Sequence, residues 1–120
     1  MPIEIKVSPP GITISQGRTF MVTDQSGQIN AGTDEGVYAI DTRFVSYYHL
    51  YIDHKPWALL NSSQLNFYAS RFHLTNPKLS TVNGEFDAHT IGLVINRAVG
   101  MGIHEDFDIV NHTRRKVRFV

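Results

Sequence analysis

Ile103-His104-Glu105-Asp106-Phe107-Asp108-Ile109-Val110 alternates cleanly between two kinds of residue. In an extended chain Ile103, Glu105, Phe107 and Ile109 fall on one side, and His104, Asp106, Asp108 and Val110 on the other. A second β-forming run, His89 to Ala98, precedes it, with Gly100-Met101-Gly102 between the two. Two such runs across a short glycine-bearing break read as an antiparallel pair.

Outward from this pair the pattern repeats. Arg18 to Asp24 is rich in β-formers and stops at the turn cluster Asp24-Gln25-Ser26-Gly27, and a polar loop follows from Asn30 to Gly36. Phe44 to Asp53 carries the longest strand signal, with Phe44, Tyr48, Leu50 and Ile52 on one face and Val45, Tyr47, His49 and Tyr51 on the other. Bulk on both faces predicts a strand covered on both sides or central to a sandwich. Asp53-His54-Lys55-Pro56 reads as a turn into Trp57 to Leu60. Asn66 to Thr75 is a further strand closed by Asn76-Pro77, and a polar loop surrounds Asn83-Gly84. Ahead of the Ser8-Pro9-Pro10-Gly11 breaker, the first residues are expected as a lead-in strand or a loose arm. Helical spacing is no more than a faint hint near Ser62 to Ser70. Short strands at such spacing predict an all-β fold, an antiparallel β-sandwich. Lys116 to Val120 reads as the start of one more strand that stops on Phe119-Val120, so the sandwich is expected to be truncated and the polypeptide to continue.

The 120 residues make one domain, 1–120, long enough to bury a core. Hydrophobic residues at 42% and charged residues at 18% describe a globular chain. Eleven Lys and Arg balance eleven Asp and Glu, which leaves no electrostatic footprint for nucleic acid or an anionic membrane. The short basic run Arg114-Arg115-Lys116 reads as a solvated turn and strand edge. With no Cys there are no disulfides, thiolate nucleophiles or Cys-rich zinc sites. The N-terminus lacks a signal-peptide core and no window has the length of a membrane span, so a cytoplasmic protein is expected.

The candidate site residues start with Gly36-Val37-Tyr38-Ala39-Ile40-Asp41-Thr42-Arg43-Phe44-Val45-Ser46, which sets charges against strand-forming residues. Asp41 and Arg43 have the groups to bind paired sugar hydroxyls; the favoured alternative is a structural network, a semi-buried Asp-Arg pair tying the loop after Gly36 to the sheet. Glu105, on an apolar face, needs a partner, and Arg97 or Arg43 can supply it. Its rival role is a general acid paired with Asp41, since glycoside hydrolysis needs two carboxylates about 5–5.5 or about 6.5–9.5 Å apart. His104, Asp106 and Asp108, with His89 and His112, raise a metal hypothesis, but they read more simply as the polar side of an alternating strand. Tyr47 and Tyr51 share a face and, with Tyr48, Trp57, Phe67 and Tyr68, admit a sugar-stacking platform against the commoner role of sheet packing.

Ser15-Gln16-Gly17-Arg18-Thr19-Phe20-Met21-Val22-Thr23-Asp24, followed by Gly36-Val37-Tyr38 and Asp41-Thr42-Arg43-Phe44-Val45-Ser46, resembles the N-terminal domain of bacterial glycogen debranching enzymes, the amylo-alpha-1,6-glucosidase-like proteins. The likeness extends through Leu60-Asn61-Ser62-Ser63, Arg71-Phe72-His73-Leu74-Thr75-Asn76-Pro77, Arg97, Gly100-Met101-Gly102-Ile103-His104-Glu105 and Asn111. It implies a β-sandwich ahead of a C-terminal (α/α) toroid that holds both catalytic carboxylates and cleaves α-glucans or related glycosides. On that resemblance the chain is expected to hold no catalytic residue of its own and to be inactive alone; no metal and no cofactor are expected. Its expected partners are the toroid and the glucan. Asp41, Arg43, Tyr47 and Tyr51 are candidate substrate contacts, and Asp41, Thr42, Arg43, Arg97 and Glu105 a candidate structural network. A free-standing carbohydrate-binding module is the alternative.

Overall fold

The computed structural model describes residues 11–82 and 84–120, and the lead-in segment and Asn83 lie outside them. Two four-stranded antiparallel sheets make up the fold. The first is a meander of β1 (Ile12–Gln16), β2 (Thr19–Thr23), β3 (Gly36–Ala39) and β4 (Thr42–Val45). A two-stranded ribbon, β5 (Tyr51–Ile52) with β6 (Lys55–Pro56), leads into the second sheet. That sheet contains β7 (Ala58–Asn66), β8 (Ala69–Thr75), β11 (Ile91–Val99) and β12 (Ile103–Asn111), in the order β12-β11-β8-β7. A small hairpin, β9 (Leu79–Thr81) and β10 (Gly84–Phe86), is inserted between β8 and β11. The chain is all-β and antiparallel, a β-sandwich with no helix among the described residues.

Strand β11 shows why the layers meet. Ile91, Leu93, Ile95, Arg97 and Val99 are buried along one side of it, and the residues between them are half-exposed. Phe72 and Leu74 of β8 continue that inner face, and Ile12, Ile14 and Met21 of β1 and β2 close over it. Full burial of each such side chain contributes roughly 1.5–3 kcal/mol. A second cluster, Ile52, Leu79, Phe86 and Ile91, sits beneath the inserted hairpin with Val117 and Phe119 packed on it.

Buried Asn76 fixes the insertion to the sheet. Its Oδ1 accepts the amides of Thr90 and Ile91 at 2.9 and 2.8 Å. Its Nδ2 donates to the carbonyls of Pro77 and Asp87 at 2.9 and 3.0 Å. One side chain thereby saturates backbone groups at the end of β8 and the start of β11, where ladder partners run out.

Several segments differ from the sequence reading. Phe44 to Asp53 is not one strand: β4 ends at Val45, and after an irregular stretch Tyr48 forms a lone bridge to Ile29 before β5. Val45 packs on the core and Phe44 is exposed, whereas Tyr48, Leu50 and Ile52 turn inward and Tyr47 and Tyr51 outward. The break shifts the inward parity by one residue, which a period-two pattern cannot show. Ile12–Gln16, which the pattern left unassigned, is the strand that crosses the second sheet. Asn66 to Thr75 contains the β7–β8 turn, and the faint helical hint at Ser62–Ser70 falls on that hairpin. Lys116 to Val120 forms no strand; Val117 and Phe119 pack on the second cluster, and the Asp53 amide donates to the Val120 carbonyl at 2.6 Å.

Candidate functional site

Arg97, 2% exposed, is the buried charged residue among the described residues, and it shares the inner face of β11 with Leu93, Ile95 and Val99. The β11–β12 register sets it directly opposite Glu105, and its Nε donates to Glu105 Oε1 at 3.0 Å. Its Nη1 donates to the Gly27 carbonyl at 2.8 Å. The turn that presents this carbonyl is built by Asp24, whose Oδ1 accepts the amides of Ser26 and Gln28 at 2.9 and 3.0 Å. Gly27 has φ +79°, and a Cβ there would lie 3.1 Å from both Arg97 Nη1 and the Phe72 ring. Glycine suits the position on both counts. The guanidinium also lies 5.1 Å from the Phe72 ring centre and 5.9 Å from that of Tyr48. Burial lowers the Arg97 pKa from its ordinary value, and the Glu105 charge opposes that shift.

Tyr48 completes this buried group. Its backbone exchanges hydrogen bonds with Ile29 in both directions, at 2.8 and 2.9 Å, and its hydroxyl donates to Glu105 Oε2 at 2.7 Å. Burial, followed by the hydrogen bond and charge of Glu105, pushes the phenol up to about 12. Both Glu105 oxygens thus accept a hydrogen bond. The carboxylate and the phenol form the polar end of a cleft of about 340 Å³, whose other walls are Met21, Ile29, Val37, Val45 and Ile103. A second cleft of about 200 Å³ lies further along β12 against Phe107 and Ile109.

Asp41, Thr42 and Arg43 lie elsewhere, on the β3–β4 hairpin. Ile40 and Asp41 have φ of 49° and 60°, the mirror-image two-residue turn that suits hairpin twist, and Asp41 is exposed at its tip. Thr42 Oγ1 donates to the Ile40 carbonyl at 3.4 Å. Arg43 Nη2 donates to the carbonyls of Glu35 and, at 2.8 Å, Thr33, so it clamps the preceding loop to β4. Its guanidinium sits 5.8 Å from the centre of the Tyr38 ring, which stacks on Phe20 at 4.7 Å. Gly36 leaves room for the clamp, because a Cβ there would be 2.9 Å from Arg43 Nε and would collide with the Val45 carbonyl. No ion pair joins Asp41 to Arg43 among the described residues. The five residues read together from the sequence therefore divide into an interior pair, Arg97 with Glu105, and an outer hairpin, Asp41–Arg43.

Tyr47 and Tyr51 are 54% and 48% exposed, and their hydroxyls meet at 2.9 Å. That bond raises the Tyr47 pKa from its ordinary value. The His49 ring lies between them, 4.7 Å from Tyr47 and 6.0 Å from Tyr51. Trp57 is half-buried against both clusters, whereas Phe67 and Tyr68 are exposed at the β7–β8 turn. His104, Asp106 and Asp108 are exposed along β12, and no group of three or more His, Asp or Glu side chains among the described residues converges on a metal-binding point.

Sequence reading missed Tyr48 as Glu105's second partner and Gly27 as the acceptor for Arg97. The hairpin register carried a signal for the Arg97–Glu105 pairing; nothing local marked the other two. The family model describing the N-terminal domain of (some) glycogen debranching enzymes matches residues 14–120. No curated protein and no solved structure matches the chain.

Proposed function

The chain belongs to the family of N-terminal domains of some glycogen debranching enzymes, and from that premise we propose that it is the non-catalytic accessory domain of an α-glucan-cleaving enzyme, packed on a C-terminal (α/α) toroid and framing its cleft. One observation carries the reading: the inner face of β12 is covered at Ile103 and Glu105 but open from Phe107 onward. Phe107 and Ile109 point to the side that should be core yet are 43% and 54% exposed, and β12 is an edge strand. An edge with a bare apolar inner face calls for a covering layer from the rest of the protein. Glu105 serves this role as a structural group, since both its oxygens are engaged by Arg97 and Tyr48.

The test compares the 120-residue chain with its full-length parent by amide hydrogen exchange and dye binding. The reading expects the chain alone to bind an apolar dye and to exchange rapidly at Phe107 and Ile109. Both signals are expected to disappear in the parent, which alone cleaves glucan. Equal protection of β12 in the two proteins would overturn it.

A further inference from the structure

We propose that Tyr47, His49 and Tyr51 form a contact ladder for an α-linked glucan chain, with one sugar ring stacking on the open face of Tyr47 and a sugar hydroxyl bonding the joined tyrosine hydroxyls. The ligand class rests on the accessory-domain reading; the site itself rests on geometry.

The first ground is exposure. Tyr47 leaves about half its surface in water. Tyr51 is exposed to a similar degree but also lines the cleft of Phe107 and Ile109, so the stacking face is assigned to Tyr47 and Tyr51 contributes its hydroxyl. The Tyr47 ring stacks on His49 with planes 9° apart, which occupies one of its faces. No second ring or cation covers the opposite face among the described residues.

The second ground is rigidity. His49 Nε2 lies 2.9 Å from Asn30 Oδ1. The Asn30 amide is oriented by its Nδ2, which donates to Asp24 Oδ2 and Glu35 Oε1, both at 2.8 Å. With that nitrogen facing two carboxylates, Oδ1 must face the imidazole, so Nε2 carries the proton and donates. The middle rung is thus locked to the same turn that presents Gly27 to Arg97. Inward-facing Tyr48, tied to Ile29 and Glu105, fixes the backbone that turns Tyr47 outward. A preformed surface loses little entropy on binding a flexible chain.

The third ground is chemical match. When one tyrosine hydroxyl donates to the other, the pair retains one free O–H and unused lone pairs. It can therefore both give and accept, as a sugar hydroxyl does. Among the described residues the rungs carry no ion pair, which suits a neutral ligand.

The full chain is titrated with maltoheptaose, and with cellohexaose as the β-linked control, by amide chemical shifts and tyrosine fluorescence. Binding in the millimolar range is expected for maltoheptaose, with shifts centred on residues 47–51 and Asn30. Tyr47→Ala is expected to weaken it about tenfold, and the double variant Tyr47→Phe with Tyr51→Phe, which keeps both rings, by less. Both changes are at exposed positions, and circular dichroism checks that the fold persists. Absence of shifts at about 10 mM sugar, insensitivity to Tyr47→Ala, or equal binding of cellohexaose would overturn the proposal. Glycogen cleavage by the parent is a separate readout. If it persists while the ladder binds nothing, only the ladder falls. If the ladder binds and the parent cleaves no α-glucan, the accessory-domain reading falls.

Discussion

Replacing Glu105 by Ala removes the counter-charge from a guanidinium that water does not reach. The side chains of Arg97 and Glu105 are 1% and 14% exposed. Two unit charges about 4 Å apart interact by about 4 kcal/mol at an effective dielectric of about 20. Breaking a buried pair from one side typically costs about 3–5 kcal/mol, so the two routes agree. Arg97 would keep its bond to the Gly27 carbonyl, which supplies a dipole but no charge. Arg97→Met is the informative contrast, because the carboxylate it strands lies at the end of an open cleft and can hydrate. It is expected to cost less than Glu105→Ala. Removing both, as Arg97→Met with Glu105→Leu, is expected to recover most of the loss. The assay is urea unfolding followed by circular dichroism. With a slope of about 2 kcal/mol per molar, Glu105→Ala should lower the midpoint by about 2 M. A loss below about 1 kcal/mol for Glu105→Ala would refute the reasoning, since it would mean that the pair is solvent-screened and not part of the core.

Gly36→Ala should destabilise by about 1–3 kcal/mol, because the new methyl meets the Val45 carbonyl and the Arg43 side chain; urea unfolding would check this, with faster exchange of the Thr33–Glu35 amides as the local sign. Asn76→Ala takes the side-chain partner from the amides of Thr90 and Ile91 and from the Pro77 carbonyl, while the Asp87 carbonyl keeps Thr90 Oγ1. It is expected to cost about 3 kcal/mol, with protection lost first at Thr90 and Ile91 by hydrogen exchange. The phenol of Tyr48 is raised to about 12 in the fold. The folded state therefore holds its proton more tightly than the unfolded chain, and this stabilising contribution, complete below about pH 10, is lost as pH rises towards 12. Allowing for solvent screening at a half-buried ring, the loss is about 1 kcal/mol, and it should be absent from the pH-stability curve of Tyr48→Phe.

The β11–β12 hairpin of the second sheet was legible because its signals are local, whereas β7 was read only as far as Leu60 and its turn into β8 was missed. Residues 103–110 alternate and the glycines mark the turn; the register observed in the structure then sets Arg97 opposite Glu105 and decides between Arg97 and Arg43, which the sequence had left open. The first sheet was less so. Ile12–Gln16 has only two buried apolar positions, Ile12 and Ile14, too few for a firm periodicity. The segment after Phe44 misled for a definite reason: it keeps strand-forming residues throughout while the chain leaves one sheet and shifts its inward parity. Composition survives such a shift; the assignment of faces does not. Tyr48 therefore could not be matched to Glu105, 57 positions away. The Gly27 carbonyl, 70 positions from Arg97, had no sequence signal at all.

These misses cluster at one place, and there is a physical reason for it. A purely apolar β11 would be served by any apolar cover, so the packing would say little about which loop lies above it. Arg97 makes a narrower demand. It needs a carboxylate from β12, a carbonyl from the Asp24–Gln28 turn and, through Glu105, a phenol from the segment after β4. Few other placements of those three pieces satisfy it, and each misplacement leaves a buried charge unpaired. The pair thus adds little net stability over an apolar substitute, while it ties the hairpin, the turn and the Tyr47–Tyr51 ladder into one arrangement. On this argument the double replacement of Arg97 and Glu105 should fold stably yet loosen the ladder, with broadened amide signals at Tyr47 and Tyr51. Sharp, unshifted signals there would mean that the ladder is positioned by its Asn30 anchor alone.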